Sequence, residues 1–297
     1  MDKWEVFYLK EFHLECDDRV VDATRLEDLL KICDRVKKYD IHLTVVSDCL
    51  GFSDYKKEDE YLKIENIAKI ENEEIGEAEV DLDEWKYQIS HAVQDLMNKI
   101  ELYGPINKTC EASVREHVSP VLSLAALIAG GIKMRAEQRI TGLRGNGPLD
   151  YLFLYRRFPI TITEVKDEDI EGGVAQNDAQ LVAGRQVYKY DLQIYLPELK
   201  EKSKKRKYLE IDISSIPSFG IVSSGRDWMF QRLAEGKDGV PTTIHKSKVS
   251  CIDLITGDRA TIEKEMLVVV RKVVWILTQQ KEAVDNHQDA KRVRNEL

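Results

Sequence analysis

Three residues have the types and spacing to handle a phosphate ester: Asp150, Glu164 and Lys166. Residues 160–166 alternate in character, and a strand sends residues i and i+2 to the same face. Glu164 and Lys166 therefore point one way, while Val165 points back into a core. Asp150 opens a neighbouring apolar run, so two carboxylates from adjacent strands can converge on one hard divalent cation. Oxygen ligands and retained waters suit magnesium, and manganese takes the same donors. Such an ion makes hydroxide from bound water and stabilises charge on a phosphate under in-line attack. A lysine beside it serves as a point charge that orients the water or neutralises the phosphate.

Several elements must position these groups. The breaker cluster Gly145, Gly147 and Pro148 predicts a sharp turn into a strand that begins near Asp150. Residues 156–159 (Arg-Arg-Phe-Pro) read as a hairpin tip. Asp167, Glu168 and Asp169 then place acids in the first turn of a helix, where its dipole favours them. On that helix Gln176 and Gln180 are four apart and share a face, turned to the metal or to a nucleic-acid backbone. Ile170, Val174, Leu181 and Val182 supply its apolar side.

The chain at this point resembles the PD-(D/E)XK nuclease superfamily. Gly-Asn-Gly-Pro-Leu-Asp-Tyr (145–151), Thr-Glu-Val-Lys (163–166), Gly-Val-Ala-Gln-Asn (173–177), and Phe-Gly-Ile-Val (219–222) with Trp228 carry the likeness. Their wording is closest to the nuclease-like C-terminal domains of Crinkler-type proteins of oomycetes and early-branching fungi. Pro148 stands one residue further from the aspartate than the superfamily name requires. The resemblance implies a mixed sheet flanked by helices, magnesium or manganese on Asp150 and Glu164, and cleavage of nucleic acid. It also implies a further acid from the first core helix. Glu111 is preferred to Glu116 because Arg115 lies four residues on, and Glu137 is a third candidate. The ordinary alternative for Glu111 and Arg115 is a helix surface pair, worth a few tenths of a kcal/mol.

Composition constrains these readings. The chain has 297 residues, enough for one large or two small domains. Five scattered cysteines give no disulfide framework and point to a reducing compartment. His13 to Cys16 offers half a zinc site without a second pair at ligand spacing. No signal-peptide pattern opens the sequence and no apolar stretch is long enough for a membrane, so an intracellular location, cytoplasmic or nuclear, is expected. The net charge of −9 opposes nucleic-acid binding. Local charge decides a phosphate groove, however, and residues 200–207 form a basic run. That run reads as a solvated loop, a backbone contact or a nuclear-localisation signal.

Taken in order, residues 4–9 predict a strand. Thr24 opens a capping-box helix with Leu26, Leu29, Leu30, Cys33 and Val36 on its stripe, and residues 41–45 predict a second strand. Residues 56–84 read as charged linker or exposed helix. Trp85, Ile89, Val93, Leu96 and Ile100 predict a core-facing helix. Thr109 is expected to cap the next helix, which Pro120 kinks and Gly130-Gly131 ends, and residues 133–140 lead into the first core strand. Residues 208–213 predict a strand, and residues 219–223 with 227–233 predict a hairpin about Ser224-Gly225. Trp228 and Phe230 share a face for core packing or, as a second reading, for base stacking. Ser223-Ser224-Gly225 is no nucleophile elbow. Residues 242–249 and 251–255 predict a further strand pair, Thr261 opens the last helix, and residues 281–297 form a charged, frayed tail.

The expected protein is thus of the α/β class, with a PD-(D/E)XK restriction-endonuclease-like mixed sheet. An accessory α/β region (1–104) precedes a nuclease-like domain (105–280), and the tail follows. Asp150 and Glu164 hold the metal. Lys166 assists the attacking water, and Gln176, Gln180 and Glu111 complete the site. The expected partner is nucleic acid, DNA ahead of RNA, with room for a protein partner at the N-terminal region and none for a membrane. The alternative is a catalytically silent module of the same fold that binds nucleic acid or a protein.

Overall fold

The computed structural model describes residues 12–16, 19–23, 43–44, 50–55, 68–71, 73–104, 106, 110–141, 145–156, 158–167, 169–189, 217–235 and 241–296. The chain divides into two units, Met1–Leu50 and Gly51–Leu297. In the first, β1 (Phe12–Cys16) pairs antiparallel with β2 (Arg19–Ala23) and β3 (Leu43–Thr44). The strand expected over 41–45 is present as β3. The strand over 4–9 and the helix from Thr24 lie outside the described residues.

Short strands β4 (Leu50–Gly51) and β5 (Ala68–Glu71) precede helices α1 (Lys86–Tyr103) and α2 (Glu111–Ala129). There follow β6 (Ile132–Thr141), β7 (Gly145–Tyr155), β8 (Phe158–Val165), α3 (Ile170–Lys189) and β9 (Ser218–Ser223). β10 (Asp227–Glu235), β11 (Pro241–Lys246), β12 (Ser250–Cys251) and α4 (Arg259–Glu296) complete the chain. Among the described residues the strands form a nine-stranded mixed sheet in the order β4-β7-β8-β9-β10-β11-β5, with β6 on β7 and β12 on β10. β6, β7 and β8 pair antiparallel, and β8 and β9, joined through α3, pair parallel.

Helices cover both faces of the sheet because alternation along each strand makes both faces apolar. Tyr151, Phe153 and Tyr155 of β7 point to one side, with Val165, Phe219, Trp228 and Phe230, and α1, α2 and α4 pack there. Leu152 and Leu154 point to the other, where α3 supplies Ala179, Val182 and Ala183 beside Phe52 and Tyr55. Trp228 and Phe230 are both fully buried, and the Trp228 indole donates to the carbonyl of Gly225. Core packing, not base stacking, is their role. Trp228→Ala is expected to destabilise the fold by about 3–5 kcal/mol, read as a lower urea midpoint.

Several expectations need correction. The domain boundary falls after Leu50 rather than near 104, because Ile89, Val93 and Leu96 of α1 enter the same core as α2 and α4. The acidic stretch is not a free linker where it is described. Residues 73–80 carry no regular structure, yet Ile75 is buried, Gly76 lies under Trp275, and the Ala78 amide donates to the carbonyl of Arg271. Asp150 sits in the middle of β7, not at its start. Gly145 and Gly147 are strand residues, Gly147 paired with Ile140 of β6, and they are small because Phe52 lies on them: a Cβ at Gly145 would stand 2.7 Å from its ring. α3 begins after the three acids. Asp169 precedes it and caps it, accepting from the Gly172 amide at 2.8 Å.

The C-terminal elements also differ. β11 and β12 each pair with β10 rather than with one another. α4 begins at Arg259, with Asp258 accepting from the Thr261 amide, and extends to Glu296. Its continuation past 281 is anchored rather than frayed at first: Val284 is buried, and Lys281 donates to the carbonyls of Ala129 and Gly130 that end α2. No helix among the described residues is long and apolar enough to cross a membrane. The basic run at 200–207 and the strand over 208–213 lie outside the described residues.

Candidate active site

Strand register brings the two carboxylates together. Tyr151 faces Thr163 across β7 and β8, and one step along the same antiparallel register sets Asp150 beside Glu164. Residues opposed in this way have Cβ atoms about 4.5–5.5 Å apart. On the other side of β7, Glu137 falls between the Ala136–Tyr151 and Gln138–Leu149 pairs, opposite Asp150. Three acids therefore stand in one row across three strands. Like charges so placed destabilise a sheet. Glu137 departs from strand geometry, with φ at 53°, and its side chain is exposed.

Asp150 and Glu164 are both buried. The Asp150 Oδ2 atom accepts from the Val165 amide at 2.7 Å, and Oδ1 lies 2.7 Å from Nε of Arg115. Glu164 accepts from Gln180 at 2.6 Å and pairs with Nζ of Lys166 at 2.8 Å. Asn177 sets the glutamine, donating to its amide oxygen at 3.1 Å. Glu111 bridges the two cations, 2.8 Å from Nη2 of Arg115 and 3.5 Å from Nζ of Lys166. Glu111, Arg115, Asp150, Glu164, Lys166 and Gln176 line a cavity of about 400 Å³, with Arg139 and Asn146 at its side.

The electrostatics follow from burial and crowding. Desolvation, then the charge of Asp150, pushes the Glu164 carboxyl up to about 7. Burial also raises Asp150, against the Val165 amide and Arg115. Burial works against the Lys166 ammonium, but Glu164, Glu111 and Asp150 outweigh it and hold its pKa above the usual lysine value. Among the lining residues the acids Glu111, Asp150 and Glu164 face the cations Arg115, Lys166 and Arg139. Among the described residues no three such donors gather into a ready-made cage. Two buried carboxylates beside a polar cavity instead fit an ion that keeps several waters and takes one or two protein ligands, as magnesium does.

The structure thus brings Asp150, Glu164, Lys166, Glu111 and Gln176 to one cavity, with Gln180 behind it. Gln180 donates to Glu164 and so orients that carboxylate. Glu116 pairs with Lys99 at 3.5 Å on the exposed side of α2, away from the site. Thr109 lies outside the described residues, and Cys110 occupies the N-cap of α2. Sequence reasoning missed Asn177, which is three residues before Gln180, and the reach of Arg115 to Asp150, which sequence spacing does not carry.

Close packing holds α3 over the strands. A Cβ at Gly220 of β9 would stand 1.9 Å from Oδ1 of Asn177. Gly220→Ala is expected to destabilise by about 1–3 kcal/mol, the usual cost of overpacking, and to displace the amide that sets Gln180. Urea unfolding checks the first effect.

No family model matches the chain, and no curated protein matches it.

Proposed function

We propose that the unit Gly51–Leu297 is a metal-dependent nuclease of the PD-(D/E)XK type, hydrolysing phosphodiester bonds of nucleic acid, DNA ahead of RNA. The observation that carries the reading is the register that sets Asp150 beside Glu164, both buried, with Lys166 at the same cavity. The order of elements supports it too: a helix, three antiparallel strands, a crossover helix and a parallel strand. So does the likeness of the four segments to Crinkler-type nuclease-like domains.

Asp150 and Glu164 would hold Mg²⁺ or Mn²⁺. When bound, that ion supplies Lewis-acid stabilisation of the phosphate and a water acidic enough to attack it. Lys166 presents Nζ at the cavity, where it holds the attacking water or meets charge on a phosphate oxygen. Gln180, set by Asn177, fixes the Glu164 carboxylate. Gln176 lines the cavity within reach of substrate, and Glu111 keeps Lys166 and Arg115 in place.

Incubation of supercoiled plasmid and single-stranded RNA with magnesium, manganese or EDTA tests this, with wild type beside Glu164→Ala. Metal-dependent cutting lost in the variant is expected, and the substrate that is cut names the class. A second reading, a silent module that binds nucleic acid or a protein, draws support from the net charge of −9. It predicts neither cutting nor metal binding by calorimetry.

A further inference from the structure

Arg115 stands in the site, yet the proposed chemistry gives it no role. Its guanidinium meets three carboxylates. Nη2 donates to Glu111 at 2.8 Å and Nη1 to Glu137 at 3.3 Å, both as directed hydrogen bonds. The third contact differs. Nε lies 2.7 Å from Asp150, but its N–H makes no aligned hydrogen bond to any acceptor. The contact to Asp150 is thus a close Coulombic pair whose N–H donor is left unused, whereas the other two are directional hydrogen bonds. The backbone below is fixed as well, because the Tyr151 hydroxyl donates to the Arg115 carbonyl at 3.0 Å and ties this turn of α2 to β7.

Glu137 is part of the device. It sits opposite Asp150 in left-handed backbone conformation, which is unfavourable for a non-glycine residue. There its exposed carboxylate is spent on Arg115 alone among the described ion pairs. An arginine holds its N–H donors in one rigid plane, so Nε–H can be offered to a phosphate while the Nη groups stay on carboxylates.

We propose that Arg115 is the phosphate-binding residue of this site. It competes with the divalent cation for Asp150, and when displaced it stays anchored by Glu111 and Glu137 and presents Nε–H to a nonbridging oxygen of the scissile phosphate. The inference rests on the phosphodiesterase reading. No bond is made or broken by Arg115 itself. It would neutralise charge that grows on the phosphate, and the Asp150 carboxylate it leaves would be open to hold the cation.

The two halves of this exchange predict opposite effects, which a merely structural arginine would not give. Arg115→Met, of similar length and uncharged, is expected to bind Mn²⁺ roughly tenfold more tightly than wild type, because a competing cation is gone. Its kcat for cleavage is expected to fall by about a hundredfold or more, as for loss of one preorganised donor. Mn²⁺ binding is read by electron paramagnetic resonance without substrate, and cleavage on plasmid or RNA. Arg115→Lys keeps the charge but not the fork, and covers the case in which the methionine variant does not fold. Its kcat is expected to fall about tenfold with Mn²⁺ affinity near that of wild type.

If wild type binds Mn²⁺ through Asp150 and Glu164 but the methionine variant binds it no better, Arg115 does not compete for Asp150. The exchange then falls while the nuclease reading stands. Unchanged kcat in either variant removes the phosphate role. Absence of Mn²⁺ binding by wild type overturns both readings together.

Discussion

Lys166→Ala is expected to lower metal-dependent cleavage by about a thousandfold, the upper end of what one preorganised donor contributes, in a protein that remains folded. Lys166 stands just beyond the end of β8. Its backbone amide donates to the Ser223 carbonyl at 2.9 Å, a bond that alanine keeps. Its side chain fills no core position. Nζ is shared between Glu164 and Glu111 at the cavity. The substitution removes one positive charge from the cavity and leaves the strand intact. Glu164 then loses its lysine partner, so its carboxyl is expected to be held neutral still more readily, and any divalent-cation binding would move to higher pH. Cleavage rate and circular dichroism together decide the matter. Loss of the folded spectrum would show that Lys166 is structural, and unchanged cutting would remove it from the reaction.

Stability of the metal-free protein is expected to fall as pH rises from about 4.5 to about 7, and added magnesium is expected to reverse the trend. Glu164 has its carboxyl pushed from 4.5 up to about 7 by burial and by Asp150. Below the lower value both folded and unfolded chains hold the proton. Between the two the folded chain binds more protons than the unfolded one, so stability declines with pH. Above the upper value the decline stops. A shift of this size corresponds to roughly 3 kcal/mol at most, at 1.36 kcal/mol per unit. Asp150, also raised by burial, works in the same direction from above its own ordinary value. A cation on the ionised pair would stabilise the folded chain, and its binding would release the Glu164 proton. The melting temperature should therefore rise more with magnesium at pH 8 than at pH 5.5. Glu164→Gln should flatten the profile and abolish the magnesium effect. A wild-type profile that rises from pH 5 to 8 without metal would show that Glu164 ionises freely, and the site would then need no cation.

The two results are independent. Lys166→Ala addresses turnover, whereas the pH profile reads the cost of burying two carboxylates side by side and needs no substrate.

Much of the local structure was legible in the sequence. The stripe from Ile89 to Leu96, the alternation that turns Val165 away from Glu164, and the hairpin around Ser224-Gly225 are patterns of period 3.6 or 2, set by backbone geometry alone. The pairing of Gln180 with the site was also visible as a shared helix face with Gln176. Glycines misled, because their two uses look alike in a sequence. Gly145 and Gly147 suggested a turn, but they serve close approach to Phe52, a residue far away in the chain. The domain boundary misled for a related reason: charge over residues 56–84 resembled a linker, while the burial of Ile75 and the packing of α1 depend on α4, nearly two hundred residues on.

What the sequence determined by itself is which residue types stand on which face: an Asp, a Glu-x-Lys and a glutamine helix, with short-range periodicity enough to place each on its element. The register that sets Asp150 beside Glu164, the reach of Arg115 from α2 to Asp150, and the burial that pushes Glu164 toward neutrality were decided only by the tertiary structure. Periodicity fixes direction within an element. Register, distance and desolvation arise between elements, from the choice of partner strand and from helices that close over it.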